Sequence, residues 1–167
     1  MNTASALAPA LNRLNIRAAR EGDLAAALAL LDWEKGKNPW LERIGEMLRH
    51  SIGNAKPDSM VCVAERDGEM VGLGVYGLIA GTLGTGTIEG ILVAPRSRRA
   101  GIGHRLLEYA LEDLKTRRMR VVFAEVPGDP VLVRYRALLL SRGFFEESRI
   151  DDYYHDGVPQ IISRLDL

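Results

Sequence analysis

Val93-Ala94-Pro95-Arg96-Ser97-Arg98-Arg99-Ala100-Gly101-Ile102-Gly103-His104-Arg105-Leu106-Leu107 is the stretch on which the reading of this chain turns. Thr87 to Val93 is a short apolar run suited to a strand, and Pro95 ends it. Gly101 and Gly103 let the backbone turn tightly. Leu106, Leu107, Ala110, Leu111 and Leu114 then recur as one stripe of a helix. A strand–glycine–helix junction exposes amide N–H groups and the positive end of the helix dipole, which together favour a pyrophosphate. Arg98 and Arg99 add positive charge beside it. Two other phosphate motifs fail on their residues. A P-loop needs a Lys-Ser/Thr ending, which neither Gly84 to Thr87 nor Gly101 to Arg105 supplies. A dinucleotide fingerprint needs a third glycine where Leu106 stands, and it belongs to an opening βαβ unit rather than to mid-chain.

Working outward, Asn15 to Ala18 reads as a first strand, and Asp23 is placed to cap a helix carrying Leu24, Leu28 and Leu31. Trp40, Ile44 and Leu48 have helical spacing behind Pro39. Met60 to Ala64 and Met70 to Ile79 read as strands joined by the hairpin turn Asp67-Gly68. On the far side, Val121 to Val126 is a strand. Asp129-Pro130 opens a helix with Val131, Leu132, Tyr135, Leu138 and Leu139 on one face, ending near Gly143. Phe144 to Tyr154 and Gln160 to Leu165 pair as closing strands across Asp156-Gly157. The order β-α-α-β-β-β-α-β-α-β-β predicts a single α/β domain over residues 15–167, with residues 1–14 as a flexible tail. Its expected frame is a mixed, mostly antiparallel sheet of six to seven strands flanked by about four helices.

The 167 residues favour one domain able to bury about 70% of its unfolded surface. Twenty-two basic residues balance 22 acidic ones, which argues against a nucleic-acid partner. From Met70 to Ile88 the chain carries no charge, about the length of a membrane span, yet six glycines there would ruin a helix and Gly81 to Gly86 reads as a turn. No membrane partner is expected, and the composition suits a cytoplasmic protein. A single cysteine, Cys62, excludes a disulfide framework and multi-cysteine metal sites, and His50, His104 and His155 lack ligand spacing, so no metal is expected.

The segment Val93 to Leu107 resembles the acetyl-CoA signature of the GNAT superfamily of N-acetyltransferases, Arg/Gln-x-x-Gly-x-Gly/Ala preceded by Val-x-Pro. Ile16-Arg17, Asp67-Gly68, Gly143-Phe144 and Asp152 to Gly157 resemble further landmarks of that family. The resemblance implies an acetyl-CoA-dependent transfer to a primary amine by direct attack in a ternary complex. It implies cofactor contacts from backbone groups of Ile91, Leu92 and Val93, paired with the pantetheine arm like an added strand. The pyrophosphate would lie on Arg98, Arg99, Ala100, Gly101, Ile102, Gly103 and His104.

Amine acetylation needs a base for the ammonium and benefits from an acid at the departing thiolate. Glu89, the single charge in its strand, lies where this family often keeps a Glu. The family's usual tyrosine acid would fall on Leu139, a departure that points to Tyr135 one helical turn earlier on the same face, or to whichever of Tyr153 and Tyr154 faces inward. Some members release the thiol without a dedicated acid. The departure also keeps open a non-catalytic acyl-CoA-binding domain of the same fold. Six acids against two arginines from Glu146 onward favour a cationic acceptor, and the sequence leaves room for a homodimer.

Overall fold

The computed structural model describes residues 14–34, 36–54 and 59–167, so the expected tail lies, but for Leu14, outside the described residues. The elements are β1 (Asn15–Ala18), α1 (Leu24–Asp32), α2 (Leu41–Ser51), β2 (Ser59–Arg66), β3 (Glu69–Leu78), β4 (Thr85–Val93), α3 (Ile102–Thr116), β5 (Val121–Pro127), α4 (Val133–Ser141), β6 (Phe145–His155) and β7 (Val158–Asp166). This is the order the periodicity predicts. One seven-stranded sheet runs β1-β2-β3-β4-β5-β7-β6. Among the described residues its one parallel pairing is β4 with β5. The uncharged stretch forms β3 and β4, and no helix of the described residues is long and apolar enough to cross a membrane.

Apolar residues on alternate positions of the strands feed a core on each face. Ile88, Leu106, Leu107, Leu114, Leu139 and Phe144 pack on the α3–α4 side. Leu30, Ile44, Leu48, Val63, Leu73 and Val75 pack on the α1–α2 side. Gly72 lets α3 lie close against the sheet, since a Cβ there would stand 2.9 Å from Leu92 O and 3.0 Å from Leu106 Cδ1. That approach sets the start of α3 beside the end of β4.

Two helix entries refine the sequence reading. Asp23 does not cap α1; it closes a 3₁₀ turn, and its carboxylate is claimed by Arg17 Nη1 (2.6 Å) and Arg20 N (2.7 Å). The Arg17 guanidinium, which also bonds Glu65 Oε2 at 2.9 Å, holds Asp23 below the usual carboxylate range. Asp129 does open the last helix, through a 3₁₀ turn over Pro130–Leu132, with Oδ1 accepting from Val131 N at 2.9 Å.

Candidate active site

The sheet splits at its parallel pair. β4 and β5 are joined over Thr85–Thr87 and Val121–Phe123, and beyond Thr87 no rung connects them among the described residues. β5 continues with β7 as far as Pro127. β4 keeps its pairing with β3, where Ala94 N bonds Val71 O at 2.9 Å. By the two-residue pleat, Leu92 also turns its backbone groups to β3, while Ile91 and Val93 present theirs to the open side.

That open edge and the start of α3 line a cavity of about 760 Å³, with α4 as its far wall. Arg99 (φ 64°) and Gly101 (φ 73°) both adopt the left-handed conformation, curling the chain before the helix. The first bond into α3 runs from Arg105 N to Gly101 O (3.2 Å), so the amides of Ile102, Gly103 and His104 have no intrahelical acceptor. A Cβ on Gly103 would stand 3.4 Å from Leu138 and 3.8 Å from Ile91 and Val93, so a larger side chain there would enter the cavity. Arg98 is turned inward to the protein: its Nε donates to Val93 O (3.1 Å) and its Nη2 to Glu34 Oε1. His104 Nε2 lies 3.0 Å from Ser141 Oγ. Every residue expected to face the cofactor, save Ala100, lines this one cavity.

A second cavity of about 420 Å³ opens between α2, β4 and β5. It shares Asn38, Ile91, Leu92, Leu132 and Tyr135 with the first, so the two meet across a common wall. Glu89 projects into the second. It is the extra residue of a β-bulge, since Val75 pairs with Gly90 while Tyr76 pairs with Ile88. A bulge re-aims a side chain, and here it sends a carboxylate out of an apolar strand into the cleft. Glu89 Oε2 accepts from Arg43 Nη2 at 3.0 Å, and Oε1 lies 3.3 Å from Thr87 Oγ1.

Tyr135 lies on the shared wall, with its hydroxyl buried and without a hydrogen-bond partner among the described residues. Burial, and secondarily the negative charge of Glu89, push its pKa up, so the phenol keeps its proton. Leu139, one turn on, is fully buried in the core and touches neither cavity. Of the closing-hairpin tyrosines, Tyr154 lines the second cavity while Tyr153 is exposed.

Several lining residues carry no local sequence signal. Trp40 packs edge-on against Tyr154 (ring centroids 4.7 Å apart) and donates from Nε1 to Asp129 Oδ2 at 3.3 Å. Arg136 Nη1 braces the same loop through Pro127 O and Asp129 O, each at 2.8 Å. Glu125 is held by Gln160 Nε2 at 2.8 Å. The acids expected from the closing hairpin are elsewhere. Glu146 pairs with Arg149, and Glu147 and Asp166 pair with Arg164, whereas the second cavity draws its acids from Glu42, Glu46, Glu89 and Glu125. The physical reason is that Glu146 and Glu147 stand exposed on the outer edge strand β6, and Asp166 is exposed at the end of β7. Cys62 is buried, which pushes its thiol up to about 12. Among the described residues no group of three or more His, Cys, Asp or Glu could hold a metal ion.

A sequence model of the Acetyltransferase (GNAT) family matches residues 25–135. A GNAT-family protein from Desulfovibrio desulfuricans superposes with a TM-score of 0.83 at 25% identity, covering 92% of this chain and 99% of that one. Ribosomal-protein-alanine N-acetyltransferase from Brucella melitensis gives 0.74 at 27% identity, covering 92% and 100%. A Salmonella typhimurium structure with acetyl-CoA as its cofactor gives 0.71 at 18% identity, covering 93% and 95%, and shares the fold. No curated protein matches.

Proposed function

Because the chain belongs to the acetyltransferase (GNAT) family, we propose that it transfers an acetyl group from acetyl-CoA to a primary amine by direct attack, with both substrates bound at once. The observation that carries this reading is the common wall: two cavities of different character meet at Tyr135, whose buried hydroxyl has no partner among the described residues.

The residues present fit acetyl-CoA. The open backbone edge at Ile91 and Val93 offers a strand-like surface for the pantetheine arm, and the amides of Ile102 to His104 suit the pyrophosphate. When bound, acetyl-CoA supplies the acyl group and a thiolate leaving group, near pKa 8.5 by analogy with cysteine. Glu89 takes the proton that an ammonium near pKa 10 must lose before it attacks, directly or through a water. Tyr135 gives its hydroxyl proton to the departing sulfur and is reprotonated by the second proton that the attacking nitrogen releases as the amide forms. The two steps are coupled through charge: Glu89 helps hold the Tyr135 proton, so protonating Glu89 makes Tyr135 a better acid. Trp40 and Tyr154 wall the acceptor's stem, and the four carboxylates favour a cationic acceptor. The Brucella melitensis neighbour's name makes a protein N-terminus one acceptor class to test.

The test is acetyl-CoA with n-butylamine, spermidine, lysine and a peptide with an N-terminal alanine, read by mass spectrometry. Acetylation of at least one amine is expected. Tight acetyl-CoA binding with every amine unmodified would favour a non-catalytic acyl-CoA-binding domain instead.

A further inference from the structure

Among the described residues Arg43 is the one cation lining the acceptor cavity, against Glu42, Glu46, Glu89 and Glu125. It stands on α2, and its Nη2 donates to Glu89 Oε2 at 3.0 Å. The two partners are unequally buried: the Glu89 side chain keeps 17% of its exposure and that of Arg43 keeps 68%. A carboxylate aimed into a cleft beside Ile44, Leu73 and Leu92 is costly without a counter-charge, and Arg43 supplies it. A guanidinium still mostly in water gives up such a pair cheaply.

We propose that Arg43 is the resting counter-ion of the ammonium subsite, and that the acceptor binds by replacing it on Glu89. This rests on the reading of Glu89 as the base. Like charges do not share Oε2 at low cost, so the arriving ammonium drives the guanidinium off. Glu46, three residues along the same helix and on the same cavity, receives it. The exchange selects acceptors that arrive protonated: aliphatic primary amines compete with a guanidinium for Glu89, whereas weakly basic aromatic amines, neutral at the same pH, do not. Arg43 thus sets acceptor affinity while taking no proton itself.

The experiment is calorimetric titration of n-butylamine hydrochloride into the CoA-loaded protein, which reads binding without turnover. Replacing Arg43 with Gln should tighten binding about three- to fivefold, the amount an exposed ion pair withholds. Arg43→Lys should bind as the wild type does. Arg49→Gln removes the same charge from α2 outside the cavity and should change nothing. In a Glu89→Gln background, adding Arg43→Gln should also change nothing. Equal or weaker binding by Arg43→Gln, or equal tightening by Arg49→Gln, overturns the exchange. The two readings fail separately: unchanged affinity in an enzyme that acetylates amines sinks only the exchange, while the expected affinities in a protein that acetylates none sink the base assignment.

Discussion

The two cavities are built from different material. The larger has a main-chain frame: the open edge of β4 at Ile91 and Val93, a left-handed curl at Arg99 and Gly101, and the first amides of α3. These backbone parts come from one run of chain, Ile91 to His104, while α4 closes the far side with Tyr135 and Leu138. The smaller is made of side chains from separate elements, with Trp40 and Arg43 at α2, Glu89 on β4, Glu125 on β5 and Tyr154 on β6. A pocket made of amides can serve one invariant ligand. A pocket made of side chains can be reshaped by single substitutions, which suits the acceptor choice proposed for it.

That division yields graded expectations. The largest effect should follow Glu89→Gln, which keeps the shape of the bulge and removes the carboxylate proposed as proton acceptor. Turnover at neutral pH should fall about 10²-fold or more, and the deficit should narrow as pH rises and more acceptor is already neutral. Initial rates from pH 6 to 9.5 measure it, and a deficit independent of pH would remove Glu89 from the base role.

Tyr135→Phe should lower turnover about 10-fold to 10²-fold. It should also raise stability by about 1 kcal/mol, because it deletes a buried hydroxyl that has no partner among the described residues. Denaturant melts beside the rates would show both; lost stability would mean the hydroxyl is bonded, and unchanged activity would mean the thiolate leaves without this acid.

Smaller still, Trp40→Phe removes the indole N–H bonded to Asp129 and trims the ring facing Tyr154. Acceptor KM should rise a few-fold, about 1 kcal/mol, with the KM for acetyl-CoA unmoved. Equal movement of both constants would erase the boundary between the cavities.

The same contrast explains what was legible in the sequence. The element order could be read because strand alternation and helical stripes are local, and the turn at Gly101 announced itself through glycines beside a strand end. Glu89 stood out as a lone charge in an apolar strand, and the bulge that aims it supplies the structural reason. Tyr135 could be placed by helical spacing from Leu139, but the burial of its hydroxyl without a partner among the described residues depends on the tertiary fold around α4. Arg43 and Glu125 were silent, and Trp40 was legible only as a helix position, because their neighbours in space lie 46, 35 and 89 residues away. The acids of the closing hairpin stand apart from the second cavity: Glu146 and Glu147, adjacent in sequence, sit on the edge strand β6 and pair with arginines.

The most direct test is calorimetric titration of acetyl-CoA into three proteins: wild type, Gly103→Trp, and the double variant Glu89→Gln/Tyr135→Phe. If main chain binds the cofactor and side chains run the chemistry, the wild type and the double variant should bind with the same Kd. Each should gain about 2.7 kcal/mol of stability at 100 times that concentration. Gly103→Trp, which fills the cavity from the first turn of α3, should bind nothing while remaining folded. No binding by the wild type, or loss of binding in the double variant, would contradict the division on which the assignment rests.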